Sequence, residues 1–224
     1  MTARPDTALP TPAPWFRRLF PVLARLLLAL FARCEVRGVE NIPRVGRGLI
    51  ASNHLGHLDA FVSAAALRRP CEVIVLADLY DVPVTGQALR WYGAIPVRRD
   101  AFDREALRTG LEVLSRDRLL WVAPEGQISE TGALMRGREG VAWLAWRADA
   151  PVVPVAITGT ERAFADLRRL RRPRLTITFG EPLSLSVAPH VERAARGAAL
   201  AANTETLMRA IAALLPPSYR GVYR

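Results

Sequence analysis

The sequence predicts an α/β fold: a layered domain whose central sheet is largely parallel but mixed and is flanked by helices. Two observations lead there. From residue 35 onward, short strand candidates alternate with helix candidates. Three of those strands, at 49–51, 73–77 and 119–122, are apolar throughout, as strands covered on both faces are. With 224 residues, 50% of them apolar, the chain is long enough for one domain with a substantial core.

Residues 1–14 contain Pro5, Pro10, Pro12 and Pro14 with little to bury, which predicts a disordered tail. Residues 15–34 predict a helix. Its longest stretch between Arg18 and Arg33 is 14 residues and contains Arg25. Fourteen helical residues reach about 21 Å, short of a roughly 30 Å hydrocarbon core. An Arg near the middle adds about 2.5–3.5 kcal/mol to insertion. The segment is a poor membrane span, and no small-x-small cleavage signal follows it. At Ala32-Arg33-Cys34 an Arg stands where a lipoprotein box needs a small residue. An amphipathic helix in the membrane plane fits better, with Trp15, Phe16 and Phe20 at headgroup level and Arg17, Arg18 and Arg25 near lipid phosphates. The alternative is the same helix docked on the protein's own core.

The domain then occupies 35–224. Strands are expected at 35–39, 48–52, 72–77, 94–97, 119–123, 151–158 and 174–180. Helices are expected at 59–68, 83–92, 102–116, 138–149, 160–170 and 190–215, the last broken near Gly197. Leu200, Leu207, Ile211 and Leu214 form a core-facing stripe that Pro216-Pro217 ends.

The net charge of +10 comes from 31 Arg and no Lys. It points to anionic partners: lipid headgroups, phosphorylated substrates or nucleic acid. No zinc finger, RNA-recognition or helix-turn-helix pattern accompanies it, and aromatics do not interleave with the Arg clusters, so nucleic acid is set aside. The basic run at 168–174 fits an anionic membrane surface. Two cysteines, Cys34 and Cys71, share no spacing motif. No disulfide framework is implied, and a reducing, cytoplasmic-side location is expected.

The chemistry is concentrated in Ser52-Asn53-His54-Leu55-Gly56-His57-Leu58-Asp59. On a straight helix, five residues turn the chain by about 500° and leave His54 and Asp59 some 140° apart. They meet if His54 leaves a strand end, Gly56 allows a bend and Asp59 opens the next helix. The carboxylate would then fix the imidazole tautomer while the other ring nitrogen takes a hydroxyl proton. Such a pair needs no Ser or Cys nucleophile. His54-x2-His57-x-Asp59 also invites a metal reading, but His190 is the one other His and a site needs three or more ligands. No metal is expected.

Three further blocks fall at strand ends. They are Gly93-Ala94-Ile95-Pro96-Val97-Arg98-Arg99, Ala123-Pro124-Glu125-Gly126-Gln127-Ile128-Ser129, and Arg138-Glu139-Gly140 leading through a helix to Pro151-Val152-Val153-Pro154-Val155. In order and spacing the four blocks resemble the glycerolipid acyltransferase superfamily, lysophosphatidate (1-acylglycerol-3-phosphate) acyltransferase type. That family carries Asn-His-x4-Asp, a second block ending in Arg, Phe-Pro-Glu-Gly-Thr-Arg-Ser, and a Pro-(Ile/Val)-Val-Pro-Val strand. The resemblance runs from about residue 35 to 185.

The resemblance implies transfer of a fatty acyl group from a coenzyme A or acyl-carrier-protein thioester to the free hydroxyl of a lysoglycerolipid. Lysophosphatidate is the leading acceptor. No cofactor beyond the acyl donor is implied, and the enzyme would sit at the cytoplasmic face of the cell membrane. His54 would be the general base and Asp59 its orienting partner. Arg99, with Arg98, would bind the acceptor's phosphate. Glu125 and Gly126 would shape the acceptor pocket, with Asn53, Gly56, His57, Gln127 and Arg138 also expected at the substrate.

Departures fall mainly on the acceptor side. Gly56 stands where the family often has Ser or Thr, and Ala123 replaces Phe. Gln127-Ile128 replaces Thr-Arg, removing one cation. Losing one Arg–phosphate contact is worth about 1.5–3 kcal/mol. Arg98, Arg136 or Arg138 would compensate, or the acceptor would lack a terminal phosphate, such as a lyso-ornithine lipid or another lysophospholipid.

Overall fold

The computed structural model describes residues 9–56, 58–98, 102–188 and 192–224. The described strands are β1 (Arg33–Arg37), β2 (Gly48–Ser52), β3 (Cys71–Leu76), β4 (Ile95–Val97), β5 (Leu119–Val122), β6 (Val152–Thr158) and β7 (Arg174–Phe179). They form one sheet in the order β1-β7-β6-β2-β5-β3-β4. Only the β6–β7 pairing is antiparallel among them, so the expected mixed, largely parallel sheet is present. The helices are α1 (Pro14–Phe31), α2 (Leu58–Ala66), α3 (Thr85–Tyr92), α4 (Phe102–Ser115), α5 (Gly140–Ala148), α6 (Thr160–Arg168) and α7 (Arg193–Leu214).

The apolar strands are explained by cover on both faces. Successive strand residues point to opposite sides. Leu49 and Ala51 of β2 therefore join a core with Val113 and Leu114 of α4, Leu144 of α5 and Leu207 of α7. Ile50, between them, joins a second core with Val62 of α2, Ala163 of α6 and Val155. Helix α7 runs unbroken through Gly197, whose Cα faces open space. The expected break does not occur: the helix runs on from Gly197 into a buried stripe at Leu200, Leu207 and Ile211. Strand β1 begins two residues earlier than expected, at Arg33, which pairs with Arg174 of β7.

Helix α1 combines the two readings weighed for it. Its inner face is docked. Ala24 is fully buried and Leu28 packs on the second core. Two arginines expected near lipid phosphates turn inward instead. Arg17 forms a two-pronged ion pair with buried Glu72 and donates to Tyr92 O at 2.7 Å, while Arg25 donates to Ala65 O at 2.7 Å and Leu67 O at 2.9 Å. Those acceptors are partly or fully buried, and the guanidinium donors satisfy them. Phe16 and Phe20 likewise pack on Trp91, Phe61 and Tyr92 rather than facing outward. The outer face is apolar and exposed: Trp15, Leu19, Val22, Leu23, Leu26 and Leu30. Among the described residues, no helix is long and apolar enough to cross a membrane.

Residues 9–13, expected in a disordered tail, lie against the domain. Leu9 packs on the first core, Pro12 sits against Gly93, and the Ala13 N–H donates to Trp91 O at 2.8 Å. Residues 1–8 lie outside the described residues.

Candidate active site

In the sheet, β2 lies between β6 and β5 and runs parallel to both. The carboxyl ends of these strands therefore emerge side by side along one edge, where open α/β sheets hold ligands. Strand β2 delivers Asn53 and His54, β5 delivers the Pro124–Glu125–Gly126 turn, and β6 delivers Gly159 and Thr160.

His54 sits between β2 and α2, and Asp59 lies in the first turn of α2. The helical objection to their meeting is thereby removed. His54 Nδ1 lies 2.9 Å from Asp59 Oδ2. The same oxygen accepts the Leu55 N–H at 2.7 Å and the Gly56 N–H at 3.0 Å. Asp59 Oδ1 accepts the Thr160 hydroxyl at 2.5 Å. The carboxylate is buried and each oxygen has donors, so it is fixed as an acceptor. Its partner ring nitrogen must then carry the proton, leaving the Nε2 lone pair on the far side of the ring. The His54 side chain is 32% exposed beside the buried, anchored carboxylate.

Thr160 was not visible in sequence as a site residue. Gly159-Thr160 after an apolar strand marks only a helix start. Gly159 holds φ +89, and a Cβ there would lie 2.0 Å from Arg174 O. A glycine is therefore needed to bring Thr160 to the carboxylate.

Two residues expected at the substrate serve the main chain instead. Asn53 is buried. Its amide donates to Ile157 O at 2.9 Å and accepts the Ile157 N–H at 2.7 Å, clasping β2 to β6. Glu125 is also buried: one oxygen accepts the His54 N–H at 2.8 Å, the other the Met135 N–H at 2.8 Å. Burial raises its carboxyl pKa above the ordinary value, and the two N–H bonds only partly offset this. Glu125 thus joins the backbone of His54 to the loop after Gly126. The Ser129 N–H donates to His54 O at 2.8 Å, so that loop holds His54 by both backbone groups.

The loop is clamped in turn by Tyr219 and Tyr223, which the sequence did not mark as site residues. The Leu134 N–H donates to Tyr219 O at 2.8 Å, and the Gly137 N–H to Tyr223 Oη at 3.2 Å. The Tyr219 hydroxyl donates to Glu161 Oε1 at 2.7 Å, next to Thr160.

Gly56 does not need to be glycine. Its φ is not positive, and a Cβ would meet nothing within 4 Å. The bend is made by the Asp59 carboxylate gathering two N–H groups. Gly126, by contrast, holds φ +73, and a Cβ would lie 3.0 Å from Arg138 Nε. Its bare Cα lets the Arg138 guanidinium lie over the turn, while the Arg138 N–H donates to Pro124 O at 2.8 Å. Gln127 is exposed, with its amide 3.9 Å from Met135 Sδ. Arg98 lies at the end of β4, three strands from β2 and so about 14 Å across the sheet. Its N–H donates to Glu105 Oε2 at 3.2 Å. His57, Arg99 and His190 lie outside the described residues.

The model of the family described as acyltransferase matches residues 33–158, more than half of the chain. The chain belongs to the acyltransferase family. An uncharacterized protein of Mycobacterium tuberculosis is 32% identical over 175 residues, covering 71% of this chain and 46% of that protein. The chloroplastic 1-acyl-sn-glycerol-3-phosphate acyltransferase BAT2 of Brassica napus is 26% identical over 58% of this chain and 38% of its own length. The mouse 1-acyl-sn-glycerol-3-phosphate acyltransferase alpha is 27% identical over 68% of this chain and 54% of its own. The chain thus spans about half or less of the curated relatives it matches. The crystal structure of the 1-acyl-sn-glycerophosphate (LPA) acyltransferase PlsC from Thermotoga maritima superposes with a TM-score of 0.63 at 20% identity, covering 85% of this chain and 78% of that one. This likeness shows the shared fold. The family membership agrees with the resemblance read from the four sequence blocks.

Proposed function

We propose that the chain acylates the free hydroxyl of a lysoglycerolipid, with lysophosphatidate as the leading acceptor, from a coenzyme A or acyl-carrier-protein thioester. The observation that carries this reading is the 2.9 Å approach of His54 Nδ1 to Asp59 Oδ2 on a partly exposed imidazole. The acceptor hydroxyl gives its proton to Nε2 as its oxygen bonds to the thioester carbonyl carbon. The tetrahedral adduct then collapses, the carbon–sulfur bond breaks, and the imidazolium returns the proton to the departing thiolate. The products are an ester and a free thiol, with no acyl-enzyme. A positioned base is worth 10²–10⁴ in rate, and the rest comes from holding two lipidic substrates together.

Support for a phosphate on the acceptor comes from the names of the curated relatives and from Arg138 lying over Gly126 beside the His54-bearing loop. Arg98 and Arg99 are assigned the same task. A second acceptor class, lacking a terminal phosphate, is favoured by one feature: exposed Gln127 stands where the family carries a Thr before its Arg, and Ile128 where it carries the Arg itself. The apolar outer face of α1 is assigned to an anionic membrane surface, on the cytoplasmic side.

Purified protein with radiolabelled acyl-CoA and a panel of lysolipids tests the reading. Phosphatidate formed from lysophosphatidate, lost in His54→Ala, supports it. Acylation of a lyso-ornithine lipid alone moves the assignment to the second acceptor class. No acylation of any lysolipid would mean a membrane-binding relative without turnover.

A further inference from the structure

Helix α6 ends at Arg168, and the chain reverses tightly before β7. The Arg169 and Arg171 N–H groups both close on Asp166 O, at 3.0 and 2.9 Å, and the Leu170 N–H closes on Leu167 O at 2.9 Å. The turn holds Leu170 at φ +54 with 96% of its surface exposed. Gly or Asn is the ordinary occupant after a helix end with positive φ. A leucine there costs backbone strain and exposes a large apolar side chain, and its exposure leaves it no contact within the fold to offset either. Arginines surround it at 168, 169, 171, 172 and 174, with no acidic residue in that run.

The turn is also tied to the end of α1. One Arg172 nitrogen donates to Ala29 O at 2.6 Å and Ala32 O at 2.7 Å, and the Arg33 N–H donates to Pro173 O at 2.8 Å. Beside those carbonyls, Leu26, Leu30 and Phe31 of α1 are exposed. An apolar apex inside a cationic collar, tied through Arg172 to the end of a helix with an exposed apolar face, has the chemistry of a bilayer interface: acyl chains below, anionic phosphates around.

We propose that Leu170 is a second membrane contact, entering the headgroup–acyl boundary of an anionic bilayer while Arg168, Arg169 and Arg171 meet lipid phosphates. This deepens the membrane reading of α1 and rests on it. With contacts at the helix face and at the turn beyond its end, the molecule is held in one orientation rather than free to roll about the helix axis. An acidic protein would use the arginines but has less use for a bare leucine at their centre.

Sedimentation of the full chain with phosphatidylcholine vesicles, with and without phosphatidylglycerol, tests the proposal. Asn is at home at positive φ, so Leu170→Asn should keep the melting temperature of the parent. Its partitioning into anionic vesicles should fall about tenfold, the loss expected for withdrawing one leucine from an apolar phase. Leu170→Trp should bind like the parent and show added fluorescence that brominated lipid quenches. Leu26→Gln reads the α1 contact separately. If Leu26→Gln weakens binding and Leu170→Asn does not, the turn proposal is overturned and the helix reading stands. If neither changes binding, both fail. If Leu170→Asn leaves vesicle binding intact but weakens binding of acyl carrier protein, the turn is a protein-docking site and the proposal is likewise overturned.

Discussion

At the scale of single residues, the site is a buried carboxylate with both oxygens hydrogen-bonded. Asp59 accepts from Leu55, Gly56, Thr160 and the His54 ring. Thr160 is therefore a positioning residue. Thr160→Val keeps the shape but removes the hydroxyl. It should destabilise the fold by about 1–3 kcal/mol and lower kcat more than KM, while Thr160→Ser restores both; steady-state kinetics and thermal melting check this. Glu125 gives a sharper contrast. Glu125→Gln is nearly isosteric, yet its amide NH2 must face one of two N–H donors, from His54 or Met135. A loss of about 1–3 kcal/mol is expected, read by denaturant unfolding. The carboxyl also sets a pH dependence. Its pKa is raised by burial in the folded state, so the native protein holds a proton that the unfolded chain has already lost. Stability should fall as pH rises from the ordinary carboxylate range through the raised value, then level off. Glu125→Gln should abolish that slope in a series of melts. Gly56→Ser should be tolerated, because its Cβ meets open space.

At the scale of elements, the docking of α1 depends on an ion triad built around buried Glu72. Glu72 receives Arg17 from α1 and Arg118 Nη1 at 3.2 Å from the approach to β5. Removing one member of such a set leaves a buried charge uncompensated, which costs about 3–5 kcal/mol. Glu72→Ala should lower the denaturation midpoint accordingly and loosen α1, seen as faster proteolysis near residue 31. In α7 the reverse holds. Gly197 is exposed within the helix and faces open space, so Gly197→Ala should stabilise by about 0.5–1 kcal/mol, measurable by melting. The sequence pointed to a break here because Gly lowers helix propensity. The core stripe of Leu207 and Ile211 overrode it. Local propensity was legible; the packing that outweighs it was not.

For the whole molecule, the strand order brings the chemistry together. Sequence patterning was enough to place seven strands and to identify the His54–Asp59 pair, because apolar runs and fixed spacings are written along the chain. It could not show that β2 lies between β5 and β6. That neighbourhood puts Glu125 and Thr160 beside His54, and it sends Asn53 inward to Ile157 rather than toward a substrate. The inward turn of Arg17 and Arg25 was equally hidden, since an amphipathic helix reads alike whether it lies on lipid or on its own domain. The measurement that tests the central claim most directly is acylation of lysophosphatidate by acyl-CoA, compared between the parent chain and His54→Ala. A base at Nε2 predicts that His54→Ala lowers kcat by about 10²–10⁴, with the melting temperature largely kept. Undiminished turnover by a folded His54→Ala protein would contradict it.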